Sequence, residues 1–291
     1  QWAVNALERT DDLLRLGEYS EMTIRNYLSE LRWLFGYYPD TRPSEITREM
    51  TIDYLIYLTK TQGCSRVKTK MAAQAFSCFF RHVLNKPYQT PSILFPARSA
   101  KLPAVMKPEE VKAVIDAVKN IKHRTLLSLF YSTGMRLREI AYLKIEDIDS
   151  KAMRIKVVAG KGKKDRFTLL SSQMLLELRA YYVQYRPEVY LFNGYRKGGK
   201  YSERTIQRIV ELSFAKAGLE NKHYSVHTIR HSFATHLLDN GADLPTIKAL
   251  LGHANITQTM QYLHLSAEHI KDVVNPFDVL QDTPIILRNS F

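Results

Sequence analysis

Cysteine is nearly absent from this 291-residue chain: Cys64 and Cys78 are the only two, and they fit neither a disulfide framework nor a metal-ligand spacing. Both read as small buried apolar residues, and a pair of isolated thiols suits a reducing cytosol, so a cytoplasmic location is expected. Long apolar runs are missing as well. No stretch approaches the roughly 18 uninterrupted apolar residues that a membrane span needs, so no membrane partner is expected. No secretory signal opens the sequence, and its first residue is Gln1 rather than Met, as in a trimmed polypeptide. Internal repeats and low-complexity tracts are absent too.

The most informative absence is of negative charge. The chain holds 42 Lys and Arg against 29 Asp and Glu, a net of +13, and the excess is unevenly spread. Residues 1–53 hold 6 basic and 10 acidic side chains, and residues 109–291 hold 27 and 19. Between them, residues 54–108 hold nine basic side chains (Lys60, Arg66, Lys68, Lys70, Arg81, Lys86, Arg98, Lys101 and Lys107) and no carboxylate. A merely solvated face mixes both signs. Fifty-five residues without one carboxylate suit a surface that faces phosphates, and nucleic acid is the usual polyanion.

What is present divides the chain in two. Apolar residues recur at helical spacing in Leu7, Leu13, Leu14 and Leu16, in Ile24, Tyr27, Leu28, Leu31, Leu34 and Phe35, and again through Asp53–Leu58 and Met71–Leu84. Residues 1–96 therefore read as an all-helical domain, with Phe76, Phe79 and Phe80 as core. Prolines 87, 91, 96, 103 and 108 then interrupt any helix, and residues 97–107 read as an extended basic linker. A second domain, 108–276, opens at Pro108 with Glu109 and Glu110 at the positive end of a helix dipole. It is mostly helical, with a hairpin from Met153–Ala159 and Arg166–Leu170 turning at Gly160–Asp165. Further helices are expected at Gln173–Tyr185, from Ser202 to Ala217, at Val226–Asn240 and at Leu244–Leu251, where Gly252 stops the last. A helix at Ala267–Val274 and an apolar tail, 277–291, close the chain.

Individual motifs here are modest. His227 and Arg230 lie three apart on one helix, where an arginine fork can hold phosphate oxygens and a histidine can move a proton. A surface pair would look the same. Zinc at His227 and His231 lacks both the Glu of an H-E-x-x-H arrangement and any cysteine partner, so no metal and no cofactor is expected. Gly134 allows a sharp turn that aims Arg136, Lys161 sits on a glycine-flanked turn, and His253 precedes Tyr262 by nine residues.

In order, however, Arg136-x-x-Glu139, Lys161 in a hairpin turn, His227-x-x-Arg230, Leu251-Gly252-His253 and Tyr262 resemble the signature of the tyrosine recombinase (phage integrase) family, closest to its Xer-like and integron-type members. The resemblance is close over Val105–His264 and looser over the first domain. It implies a helical core-binding domain and an α-rich catalytic domain with a small antiparallel sheet, clamped around DNA. It implies site-specific strand exchange through a 3′-phosphotyrosyl intermediate and a Holliday junction, by a homo-tetramer on two double-stranded DNA sites. Tyr262 is then the nucleophile, Arg136 and Arg230 clamp the scissile phosphate, and His253 adds a hydrogen bond. His227 accepts the tyrosine proton, Lys161 protonates the departing 5′ oxygen, and Glu139 orients Arg136 or packs structurally and does not touch DNA. Arg66, Lys68, Lys70, Arg98 and Lys101 are expected DNA contacts, and the tail 277–291 docks either on its own domain or on a neighbouring protomer. A type IB topoisomerase and a DNA-binding protein without catalysis are the rival readings. The target site and any accessory proteins are not encoded in these features.

Overall fold

The computed structural model describes residues 1–88, 102–158, 165–194, 198–263 and 265. The chain forms two compact units, Gln1–Ser99 and Ala100–Phe291. Both are mainly helical, and the second adds one small antiparallel sheet, which agrees with the fold class expected from the sequence.

In the first unit α1 (Trp2–Leu16), α2 (Glu21–Tyr37), α3 (Arg48–Lys60) and α4 (Arg66–Cys78) follow one another, and a π-helical turn, Phe79–Val83, extends α4. Hydroxyl caps start three of them: Ser20, Thr47 and Ser65 accept from the backbone N–H groups of Thr23, Met50 and Lys68. Ile24, Leu31, Leu34 and Phe35 line the buried face of α2, which packs against α4, where Ala72, Ala73 and Ala75 permit close approach. Phe76, Phe79 and Phe80 are core, as their spacing predicts. The cysteines depart from expectation. Both are half-buried free thiols, because Cys64 sits in the turn after α3 and Cys78 ends α4, where side chains leave the packed face.

The basic start of α4 behaves unevenly. Lys68 donates to the carboxylate of Glu30 on α2, a buried side chain whose other oxygen has no hydrogen-bond partner. Arg66 is half-buried and Lys70 exposed. Arg98 and Lys101 lie outside the described residues.

The second unit contains α5 (Pro108–Asp116), α6 (Ile121–Thr133), α7 (Leu137–Ala141), α8 (Ser172–Tyr185), α9 (Glu203–Lys216), α10 (Val226–Asp239), α11 (Leu244–Leu251) and α12 (Thr257–Met260). Between α7 and α8 run β1 (Ile148–Asp149), β2 (Arg154–Val157) and β3 (Arg166–Leu169), antiparallel in the order β1-β2-β3, with Ile148 opposite Ile155 and Val157 opposite Arg166. On β2 the exposed Arg154 and Lys156 alternate with the buried Ile155 and Val157, the pattern of a sheet with one covered face. β1 was not expected, since two residues are too few to display alternation.

Two apolar clusters form in this unit. The larger joins α5, α6, α8, α9 and the sheet. The smaller comprises Phe233, Ala234, Leu238, Ile247, Leu251 and Tyr262, so the expected nucleophile is also a core residue. The hairpin turn with Lys161, the helix at Ala267–Val274 and the tail 277–291 fall outside the described residues. Among the described residues no helix is long and apolar enough to cross a membrane.

Candidate active site

The site begins with a glycine. Gly134 ends α6 in the left-handed region (φ 59°), and a Cβ there would lie 2.2 Å from Cδ1 of Phe233. The chain can therefore turn sharply and bring the backbone against α10 only with glycine at this position. Two residues later Arg136 stands before α7, and its backbone N–H donates to Glu139 Oε2 at 2.7 Å, closing the first turn.

The last carbonyls of a helix have no intrahelical partners and carry partial negative charge. At α11 the N–H groups of Gly252 and His253 turn back to Ala249 and Lys248, and the next three carbonyls each receive an arginine. Arg166 Nε donates to Leu250 O at 2.8 Å, Arg230 Nη2 to Leu251 O at 2.8 Å, and Arg136 Nη2 to Gly252 O at 3.1 Å. Arg230 also donates from Nη1 to Gly134 O at 2.6 Å, so α10 is fastened to the end of α6 as well. Gly252 is itself left-handed (φ 64°), and a Cβ there would lie 2.7 Å from Cδ of Arg166.

One carboxylate serves this cluster. Glu139 accepts both forks of Arg166, each at 2.8 Å, and Arg136 Nη1 at 2.9 Å. Burial pushes its pKa up, yet the hydrogen bonds and charge of Arg166 and the bonds from Arg136 prevail and hold it at about 2. Burial, then the charge of Arg136, lower Arg230 to about 10, which leaves it protonated at neutral pH. Three guanidiniums against one carboxylate leave two positive charges in this group. Each guanidinium has five N–H donors, and Arg136 and Arg230 each direct two of their side-chain donors to the protein.

Beyond the arginines stand the histidines and the tyrosine. Thr259, wholly buried, shares a hydrogen bond of 2.9 Å with His253 Nδ1, and the His253 ring lies nearly parallel to that of Tyr262. The Tyr262 hydroxyl is 3.1 Å from Nδ1 of His231, and the whole residue is buried. Burial raises its pKa, while Arg230 and Arg136 act in the opposite direction. Burial and neighbouring positive groups lower both His231 and His253 to about 4, so both are neutral at pH 7.

Of the residues expected from the sequence, Arg136, Arg230, His253 and Tyr262 meet around the end of α11. His227 is exposed on the first turn of α10, and the described partner of the Tyr262 hydroxyl is His231 instead. Glu139 does bind Arg136, as expected. Sequence reasoning missed two participants. His231 was weighed only as a metal ligand, and Arg166 only as the first residue of a hairpin strand. The signal for Arg166 was Glu139 itself, a carboxylate close in sequence to Arg136 with two oxygens and so room for a second cation.

Residues 104–269 match the phage integrase family, and residues 7–90 match the N-terminal SAM-like domain of phage integrases. The tyrosine recombinase XerA of Pyrococcus horikoshii is 30% identical over 280 residues, covering 94% of each chain. A crystal structure of the XerH site-specific recombinase, bound to a palindromic difH substrate after cleavage, aligns with TM-score 0.72 at 23% identity over 94% of this chain and 84% of that one. A lambda integrase tetramer bound to a Holliday junction aligns with TM-score 0.70 at 18% identity over 93% and 79%. The chain is a member of the phage integrase family, a tyrosine recombinase of the Xer-like kind.

Proposed function

We propose that this chain exchanges DNA strands at specific sites, with Tyr262 as nucleophile. The observation that supports this most is the convergence of Arg136, Arg230, His253 and the hydroxyl-bearing Tyr262, drawn from well-separated segments, on one helix end. Arg136 and Arg230 grip the non-bridging oxygens of the scissile phosphate with their remaining N–H donors. As the Tyr262 Oη–phosphorus bond forms and the bond to the 5′ oxygen breaks, negative charge gathers on those oxygens. The two surplus positive charges of the arginine cluster meet it, and losing one such donor costs on the order of 10²–10³ in rate.

The histidines divide the proton work. With the Thr259 hydroxyl donating to Nδ1, neutral His253 keeps its proton on Nε2 and donates it to a phosphate oxygen. His231 holds the Tyr262 hydroxyl before attack, and the exposed His227 takes the proton as attack begins. Lys161 gives a proton to the 5′ oxygen, general-acid help worth roughly 10²–10⁴-fold. The 3′-phosphotyrosyl bond keeps the phosphoester energy, so a 5′ hydroxyl from another strand reseals it without ATP. Tyr262 is buried with its hydroxyl on His231, so its attack on a phosphate requires its segment to move.

The first unit and residues 97–107 are assigned to gripping DNA outside the cleavage site, with Arg66, Lys70, Arg98 and Lys101 on phosphates. Lys68 joins them only by leaving Glu30. A homo-tetramer on two sites, a Holliday junction intermediate and a cytoplasmic setting complete the reading, in line with the lambda integrase assembly. The tail 277–291 docks on its own unit or on a neighbour.

A covalent-trapping assay tests this. Nicked duplexes from the DNA flanking the gene are incubated with wild type and Tyr262→Phe and run on denaturing and native gels. A denaturant-resistant adduct with wild type alone is expected. Specific binding without any adduct would point to a DNA-binding protein that does not cleave.

A further inference from the structure

We infer that Arg166 is a positioning residue for strand cleavage: it fixes the phosphate-gripping Arg136 through Glu139 and anchors both to the end of α11. This rests on the function proposed above and assigns a task to a side chain to which that scheme gives no role of its own.

Three observations support it independently. The first is the donor set. Arg166 directs Nη1 and Nη2 to the two oxygens of Glu139, each at 2.8 Å, and Nε to Leu250 O at 2.8 Å. A fork on a carboxylate fixes the plane and the azimuth of both partners, which a lysine cannot do. The second is burial. Only 12% of the Arg166 side chain and 13% of that of Glu139 are exposed, whereas Arg136 is 35% exposed. The inner pair is therefore the rigid mount and Arg136 the working end. The third is Gly252. A Cβ there would meet Cδ, Nε and Cζ of Arg166 at 2.7, 2.9 and 3.1 Å, so the backbone that presents its carbonyl to Arg136 lies directly against the Arg166 side chain.

Without Arg166 the Glu139 carboxylate loses two of its four bonds and is held by Arg136 alone, the residue it is meant to fix. Arg136 then keeps its charge and loses its aim. A misplacement of about 1 Å at a catalytic group costs on the order of 10²-fold in rate. Breaking the buried pair also costs stability, and the part of the defect specific to this role is one of charge placement at the phosphate.

The test compares wild type, Arg166→Met and Arg166→Lys in single-turnover cleavage of one nicked duplex from the DNA flanking the gene. The duplex is made in two forms, with an ordinary scissile phosphate and with an uncharged methylphosphonate there. On the phosphate, both variants should cleave about 10²-fold more slowly. On the methylphosphonate, which has no anionic charge for Arg136 to match, the difference from wild type should shrink to a few-fold. In an Arg136→Ala background, Arg166→Met should add little further loss. Equal losses on both duplexes would assign Arg166 to general folding and overturn the inference, as would full activity of Arg166→Met on the phosphate. Failure of wild type to form any adduct would strike the proposed function itself and is read in the wild-type lane alone.

Discussion

Replacing Gly134 with alanine imposes two separable penalties on the second unit. The left-handed backbone (φ 59°) costs a residue with a Cβ about 1–2 kcal/mol. The new methyl would also lie 2.2 Å from Cδ1 of Phe233 and 2.9 Å from Cδ2 of Leu251, an overpacking that costs about 1–3 kcal/mol as α10 and α11 shift. The sum, about 2–5 kcal/mol, is a large part of a typical domain's 5–15 kcal/mol. Both tryptophans, Trp2 and Trp33, belong to the first unit. Their emission is therefore an internal control, and hydrogen exchange in peptides from α6 and α10 reads the damaged region. Phe233→Ala separates the two terms. In that background Gly134→Ala should cost little more than the conformational part, about 1–2 kcal/mol, because the ring it strikes is gone and only the end of the Leu251 side chain has to give way. Cleavage should fall on the order of 10²-fold, since Gly134 O receives Arg230 and Arg136 follows two residues later. A cost below about 0.5 kcal/mol, or one unchanged by removing Phe233, would refute the steric argument.

Other perturbations address the polar core of the site. Glu139 is held at about 2 against an ordinary 4.5, so its stabilising effect is complete above pH 4.5 and is lost as pH falls towards 2. Glu139→Gln should therefore cost about 3 kcal/mol at pH 7 and progressively less below pH 4.5, as urea titrations across that range would reveal. His231 and His253 have folded values of about 4 against 6.5, so the unfolded chain binds the extra protons first. Stability should fall as pH drops from 6.5 to 4, and His231→Asn should flatten that slope in a melting-temperature series. Thr259→Val removes the partner of His253 Nδ1 and should slow single-turnover cleavage roughly 5- to 10-fold, about the worth of one hydrogen bond, with the fold intact by circular dichroism.

Much of this was legible in the sequence because local rules wrote it. α11 spans Leu244–Leu251 and stops at Gly252 as read from spacing and the glycine stop, and α5 starts at Pro108 with its two glutamates. Gly134 and Phe76, Phe79 and Phe80 also behave as their neighbours in sequence dictate. The losses share a different cause, which is long-range packing. Arg166 meets a carbonyl 84 residues away, and no side chain at the receiving end announces it. His231 reaches Tyr262 across 31 residues because α10 turns that face towards α11 and α12, a fact of tertiary arrangement. The π-helical turn at Phe79–Val83 and the half-buried cysteines belong to helix ends, where periodicity no longer decides burial.

The acceptors at the end of α11 are peptide oxygens, and this has a consequence for how such a site drifts over generations. Nothing at positions 250 and 251 need be polar for two of the arginines to dock there, and both are leucines facing other demands. Side chains on that turn can change freely within the limits of packing, while the geometry that seats the guanidiniums is inherited through the helix stop alone. Comparison of substitutions between positions would find no partner for Arg166 or Arg230 at 250 or 251, since the partner is a group every residue possesses. The heritable trace of the docking plate is one glycine, at 252, whose missing methyl leaves space for an arginine.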